Sequence, residues 1–471
     1  MHAPGPLDGG CVENKKEEPN MKKLVSLFLV LAMLLVSVAA LAEAPEGYPE
    51  VREGVDFGGA DIYILDYWSG DVGSDARAED PTEEQAALYA YRDWLNETYN
   101  CHIVQKQGGD WGSQITEFTN FVAAPDGSYR LYILEPGSVA NAIKAGARAW
   151  DDLVDLSAEK WNKQDLGFTT KQGKAYGVYA GEAEPRQCLY FNKKVLEDAG
   201  IDWNEIYDMQ EAGTWTWDAL VELLAKLTRD TDGDGINDIY GIIGDNTDVL
   251  IISVFSNGGA FFALDDEGKL QPVMNSDVAM EALTWAKETW LNYGAPQPAD
   301  ANWDWYKNAW KQGYCGFYMY QTYGGFNDNS EMADMADQWG CVAFPIGPKG
   351  NTYVHVVSDN ITLIPDVYDD QTAANLAFIY DMWTNPTPGY DDENAWVGNK
   401  LNYTDDRAVY ETYAMLREAD HSAFNMTLAM GTNNDIIGNG FLWNIYGNDP
   451  AALIEAQMPV WEGLCNEFNG D

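Results

Sequence analysis

Residues 61–65 read Asp-Ile-Tyr-Ile-Leu, and residues 66–68 continue Asp-Tyr-Trp. The apolar run predicts a buried strand. Outward from it, Asp80-Pro81-Thr82 opens a helix whose apolar face is Ala87, Leu88, Tyr91, Trp94 and Leu95. A second short strand is expected at 102–104, a helix at 111–122, a third apolar run at 131–134 and a helix at 139–145. This alternation of strand and helix predicts a parallel sheet in an open α/β lobe. Ligands of such sheets gather at the carboxyl ends of the strands. Asp66-Tyr67-Trp68 and Glu135-Pro136-Gly137-Ser138 are therefore candidate ligand loops.

The chain of 471 residues exceeds the roughly 250 to 300 that one core organises, so two or more lobes are expected. Beyond the first lobe the alternation resumes with a strand at 189–191 and a helix at 194–199. A further helix at 217–227 carries Trp217, Leu220, Val221, Leu224 and Leu227 on one face. A helix at 278–293, an aromatic-rich stretch at 303–326, a strand at 341–344 and a helix at 372–383 follow. No repeat of solenoid period and no low-complexity linker separates them, so the lobes are expected to be interwoven.

Seventy-five Asp and Glu against 28 Lys and Arg give a net charge of −47. Such a field repels phosphate backbones and anionic lipid, which excludes nucleic acid as a partner. Met21-Lys22-Lys23, the apolar run 24–42 and Ala40-Leu41-Ala42 have the layout of a secretory signal peptide cleaved after Ala42. The chain is then an acidic exported protein, extracytoplasmic at the cell surface or in a periplasm. Five cysteines would remain (Cys101, Cys188, Cys315, Cys341 and Cys465), an odd number that argues against an obligatory disulfide framework. No CxxC or Cys/His spacing for zinc is present.

The sharpest local motif is Asp230-Thr-Asp-Gly-Asp-Gly-Ile-Asn-Asp238. Asp230, Asp232, Asp234, the carbonyl of Ile236 and Asp238 fall at the oxygen positions of an EF-hand-type loop, with Gly235 at the sharp turn. Four crowded carboxylates repel one another without a cation, so structural Ca²⁺ is expected. Position 12, normally Glu, is Gly241, and other ligands or water would have to complete the shell. Catalytic patterns are absent: there is no HExxH, GxSxG, Walker loop or GxGxxG. Trp68, Trp111, Trp215, Trp217, Trp303, Trp305, Trp310, Tyr320, Tyr323, Trp383 and Trp443 are too many aromatics for one core. Trp68, Trp303, Trp305 and Tyr323 sit beside Gly, Asn, Asp and Ser, where flat faces flanked by carboxylates and amides suit a sugar.

Lys174-Ala-Tyr-Gly-Val-Tyr-Ala180, Cys188-Leu-Tyr-Phe-Asn-Lys-Lys-Val-Leu-Glu-Asp-Ala-Gly-Ile-Asp202, Gly213-Thr-Trp-Thr-Trp-Asp-Ala-Leu220 and the Asp230 loop resemble, in order and spacing, family 1 extracellular solute-binding proteins. These are the receptors of carbohydrate ABC importers, the maltose-binding protein among them. Residues 313–325 and 339–348 resemble that family's later strand and crossover. The likeness implies a two-lobe periplasmic-binding-protein-like α/β fold with a central cleft. Its lobes would be 43–168 plus 345–390 and 169–344 plus 391–471. By the same likeness Tyr67, Trp68, Glu135, Glu184, Arg186, Tyr320, Gln321 and Tyr323 match ligand-contacting positions, and Trp303 and Trp305 join them as loop-borne rings. The family's usual Trp platform is Tyr323 here, with Gly324-Gly325 after it, and no lipid-anchoring Cys follows the apolar leader.

The reading is thus a substrate-binding component of an ABC importer, not an enzyme. As a monomer it would capture a carbohydrate, expected to be an oligosaccharide, and deliver it to permease subunits. A secreted carbohydrate-active enzyme or a surface lectin using the same cleft is the alternative.

Overall fold

The computed structural model describes residues 44–326, 332, 335–390, 396–397, 403 and 405–470. The leader 1–42 and its cleavage site lie outside them. Val55–Asp471 forms one compact unit, and the chain before it a separate one, of which residues 44–54 carry only turns and irregular structure. Among the described residues no helix is long and apolar enough to cross a membrane.

Two sheets organise the large unit. The first contains β1 (Ala60–Asp66), β2 (Cys101–Gln107), β3 (Tyr129–Leu134) and the short β4 (Ala147–Arg148). The second contains β5 (Gln187–Asn192), β6 (Tyr240–Gly244), β7 (Cys315–Gln321) and β8 (Trp339–Val342). The chain then returns to the first sheet with β9 (Ile361–Pro365), giving the orders β2-β1-β3-β9-β4 and β8-β5-β7-β6. β1 runs parallel to both neighbours, Ile62 facing Ile103 on one side and Tyr129 on the other. β9 enters antiparallel, pairing Ile361 with Leu134. The expected parallel α/β start and the interwoven path are both present.

The first sheet packs Leu65, Tyr132, Leu134, Ile361 and Leu363 against Phe118, Phe121, Val139 and Ala142 of two helices. The second packs Leu189, Phe191, Ile242 and Phe317 against Trp217, Leu220 and Leu224 of the helix Trp217–Leu227. Thr216 caps that helix by accepting from the Ala219 amide. Its predicted face is corrected at one position, since Leu223 is buried and Val221 is half-buried. The helix expected from residue 111 begins at Gln114, because Asp110 and Ser113 bond reciprocally into a turn. That turn leaves Trp111 half-exposed. The strand expected at 341–344 is Trp339–Val342, since the Ala343 amide leaves the ladder to donate to Gln210 Oε1 at 2.8 Å.

β6 is the outer strand of its sheet, and its far side is closed by two residues: Gly294 bridges Ile242, and the Ala295 amide donates to the Ile242 carbonyl at 2.9 Å. A Cβ on Gly294 would stand 2.6 Å from the Trp290 carbonyl, so only glycine fits there. All five described cysteines are buried and unbridged.

Leu224 is fully buried between the helix and β6. Leu224→Ala is expected to destabilise the protein by about 2 to 5 kcal/mol, the transfer term plus the cavity. A urea unfolding curve with an unchanged midpoint would contradict this packing.

Candidate functional site

The turn after β1 is built by Asp66, a buried carboxylate that accepts from the amides of Trp68 (3.1 Å) and Ser69 (2.9 Å), from Gln105 Nε2 (2.8 Å) and from the Ser69 hydroxyl. That cap turns Tyr67 into a cavity of about 430 Å³, where its hydroxyl donates to Asn360 Oδ1 at 2.7 Å. Burial raises the Tyr67 hydroxyl to about 12. Trp68 lies edge-on to the Tyr67 ring at 4.9 Å, 49% exposed and outside the cavity.

At the end of β3, Glu135 accepts from the Gly137 amide (3.1 Å) and the Ser138 hydroxyl (2.9 Å), and its own amide donates to Gln114 Oε1 (2.7 Å). It lines the cavity, and burial holds its carboxyl above the usual value. Opposite, the Arg186 guanidinium donates to Glu184 Oε1 (3.2 Å) and to the Ser358 carbonyl (2.9 Å), and lies 3.8 Å from Asp359 Oδ1. Glu184 itself faces a neighbouring recess with Tyr179, Trp396 and Tyr413. It bears on the cavity through Arg186.

β7 delivers Tyr320 and Gln321, and the following turn delivers Tyr323, all three to the cavity. The two tyrosine rings meet edge to face at 5.6 Å. The glycine pair after Tyr323 is demanded by packing. A Cβ on Gly324 would stand 2.8 Å from the Tyr320 ring, and one on Gly325 2.6 Å from the Tyr403 ring. Trp303 borders both this cavity and an adjoining recess of about 970 Å³, whereas Trp305 reaches only the recess. Trp111, Asp245, Thr247, Tyr306, Tyr323, Asn434 and Trp443 also border both. Cavity and recess form one continuous cleft.

Several of these residues were not singled out from sequence. Asp245 and Asp248 follow β6, and Gln321 Nε2 donates to Asp248 Oδ2 at 2.7 Å. Burial, then repulsion from Asp245, pushes Asp248 up to about 7, and burial raises Asp245 as well. The rule that picked out the ends of β1 and β3 would have found them had Tyr-Gly-Ile-Ile-Gly been read as a strand. Trp111 and Trp443 stood among the surplus aromatics without a role.

The Asp230 loop stands apart from the cleft. Asp230 accepts from the amides of Asp232, Gly233 and Gly235, Asp238 from the amide and hydroxyl of Thr231, and Asp234 from the Ile236 amide. Oxygens of Asp230, Asp232 and Asp238 lie within 4.8 Å of one another. The Asp234 carboxylate is not part of that convergence. The loop is closed by the Arg229–Ile239 bridge and leads directly into β6, so a strand replaces the exiting helix. Gly241, at position 12, is on that strand, where a Cβ would lie 3.0 Å from Leu224, so a side chain there would crowd the helix.

Behind Arg186, Asp359 and Asp165 are both fully buried, and neither oxygen of Asp165 has a hydrogen-bonding donor among the described residues. Burial, then the facing Asp359 charge, raises Asp165 to about 8, and burial raises Asp359 to about 6. The folded protein therefore holds protons here that an unfolded Asp releases near about 3.9. Stability contributed by these protons is complete below that value and is lost as pH rises through the folded values. Thermal melts should show stability falling from about pH 4 to about pH 8, and Asp165→Asn should flatten that slope. An identical slope in the variant would remove Asp165 as its source.

The family described as bacterial extracellular solute-binding protein matches residues 55–381. No curated protein matches the sequence. Among solved structures, an ABC substrate-binding protein from Listeria monocytogenes in complex with cycloalternan is 15% identical with a TM-score of 0.59, over 87% of this chain and 99% of that one. A cyclic α-maltosyl-1,6-maltose binding protein from Arthrobacter globiformis is 15% identical with a TM-score of 0.59, over 86% and 99%. UgpB from Mycobacterium tuberculosis in complex with glycerophosphocholine is 15% identical with a TM-score of 0.60, over 86% and 98%. At such identity these structures establish a shared fold. With two sheets exchanging the chain, a cleft lined by strand ends, and a family match over most of its length, the chain belongs to the bacterial extracellular solute-binding proteins.

Proposed function

We propose that the cleft binds a carbohydrate, captured outside the cytoplasm and delivered to the permease subunits of an ABC importer, by binding and release without turnover. The observation that carries this reading is the wall of the cleft: Trp111, Trp303, Tyr306, Tyr323 and Trp443 offer flat rings beside Glu135, Asp245, Asn360 and Asn434. Rings suit the CH face of a pyranose and the carboxylates and amides suit its hydroxyls. The combined volume of cavity and recess, about 430 and 970 Å³, suits an oligosaccharide. The cycloalternan complex of one similar protein and the cyclic α-maltosyl-1,6-maltose binding protein support the same class. The sheet-bearing segments 43–168 plus 345–390 and 169–344 plus 391–471 would close over the solute as two bodies.

An oligosaccharide panel read by thermal shift and tryptophan fluorescence tests this. Ligand at 100 times its Kd should add about 2.7 kcal/mol to stability. Tyr323→Ala should weaken binding about tenfold, a loss of about 1.4 kcal/mol. A panel producing neither a thermal shift nor a fluorescence change would refute the carbohydrate reading.

We also propose that the Asp230 loop holds Ca²⁺, with Asp230, Asp232 and Asp238 as side-chain ligands. The convergence of their oxygens supports it, and water or other groups would complete the shell. Millimolar Ca²⁺ is expected to raise the thermal midpoint of chelator-treated protein, and Asp230→Asn to abolish the rise. Equal midpoints with and without Ca²⁺ would exclude a structural ion.

A further inference from the structure

Residues 422–434 lie between the two sheets and touch both cores. The segment is anchored to the second-sheet core at each end. Leu416 precedes it and Ile437 follows it, both fully buried there, and Trp461 Nε1 donates to the Ile436 carbonyl at 2.8 Å. Ala423, Met426 and Met430 pack on the same core. Asn425 Nδ2 donates to Asn433 Oδ1 at 2.9 Å, drawing the ends of the segment together, and Asn425 Oδ1 accepts from the Thr427 amide at 3.2 Å. The segment therefore holds its own shape. Toward the cleft it presents Leu428, Thr432, Asn433 and Asn434.

Its other face meets the first-sheet core, and there the contact changes character. Phe424 and Ala429 pack on that core, the Phe424 ring 6.4 Å from the Phe168 ring. Among the described residues no hydrogen bond joins 422–434 to 55–169. The Thr427 hydroxyl is buried with no hydrogen-bonding partner among the described residues, so parting of the two faces would return it to water. The neighbouring ion pair Lys144–Glu467 joins the helix Val139–Ala145 to the last helix, Pro450–Asn469, and is exposed at both ends, where water and salt weaken it. Apolar contact without hydrogen bonds, beside one solvated ion pair, is the make-up of a face that parts and re-forms.

The closest approach is at Gly137, two residues after Glu135. Gly137 is buried in the 3-10 turn Pro136–Ser138, and a Cβ there would stand 2.5 Å from Thr432 Cα and 2.9 Å from both the Thr432 nitrogen and the Gly431 carbonyl. These are backbone atoms, which have no rotamer by which to move aside. Glu135 on one side of the cleft and Thr432 to Asn434 on the other thus stand at a separation that only glycine at 137 allows.

We infer that residues 422–434 are the face on which the first-sheet body closes, and that Gly137 is the positioning residue that lets it close fully around the solute. The inference rests on the solute-binding role of the family and not on which solute is bound. The closed arrangement is the one that holds solute from both sides, so a side chain at 137 lowers its population and, with it, the apparent affinity.

The test needs no solute, so its failure leaves the carbohydrate reading untouched. Lys144→Cys with Glu467→Cys in the full chain places two exposed thiols across this face, while the five described native cysteines are buried. A short bismaleimide is expected to bridge the new pair, and small-angle X-ray scattering to give the bridged protein a smaller radius of gyration than the unbridged one. In the same background Gly137→Val is expected to slow bridging at least about tenfold and Gly137→Ala several-fold, with the thermal midpoint of the unbridged protein unchanged. Labelling by a monofunctional maleimide at equal rates in all three would show that the thiols themselves are equally accessible. No bridging with Gly137 in place, or bridging at the same rate in both Gly137 variants, overturns the inference. So does a radius of gyration that bridging leaves unchanged, or a lowered midpoint or failure to fold in both variants, since either makes the contact a permanent part of the resting fold.

Discussion

A guanidinium taken out of water must have its charge answered on every side. Arg186 is 13% exposed, and the answer comes from segments far apart in sequence. Glu184 lies two residues upstream, and Ser358 and Asp359 belong to the stretch returning the chain to the first sheet. The Thr322 amide donates to the Arg186 carbonyl at 2.7 Å, which fixes the turn that carries Tyr323. The guanidinium therefore ties the stretch before β5 to the stretch before β9, and the carbonyl of the same residue ties in the turn that carries Tyr323. Asn360, next to Asp359, then receives Tyr67 from the end of β1. Removing the charge would loosen both sheets' contributions to the site at once.

Elements whose burial repeats along the chain were legible in the sequence. β1, the helix Trp217–Leu227 and the helix Val139–Ala145 follow from apolar spacing alone. β6 was illegible because two of its five residues are glycines, a composition that reads as a turn. The glycines answer to neighbours rather than to a bend. Gly241 lies against Leu224, and at Gly244, where φ is +140°, a Cβ would stand 2.2 Å from the Met319 carbonyl. Missing that strand hid Asp245 and Asp248. Likewise the stretch 303–326 was read as aromatic without a helix in it. The short helix Trp305–Lys311 sends Trp305 to the recess and Tyr306 to both compartments, a division that ring counting cannot make.

The acidic excess is organised in more than one way. In the Asp230 loop the carboxylates bond the loop's own amides, and hydrogen bonding holds Asp230 and Asp238 below the usual range. The turn is thereby shaped before any cation arrives. Asp165 and Asp359 are the opposite case, two carboxyls buried beside one another and kept partly protonated, with Arg186 the charge that makes their burial tolerable. The same residue type is an acceptor at the surface and a proton store inside, and the local supply of amides decides which.

The closure of β6 by Gly294 and Ala295 has a consequence for life in a crowd. An outer strand normally offers a row of unpaired amides and carbonyls to any extended chain that drifts against it. Like charge on neighbouring copies discourages the approach, but salt screens that protection beyond about 10 Å. Two residues laid along Ile242 act where charge does not, by occupying the backbone itself. The guard is steric, and it depends on a glycine small enough to lie beneath the Trp290 carbonyl.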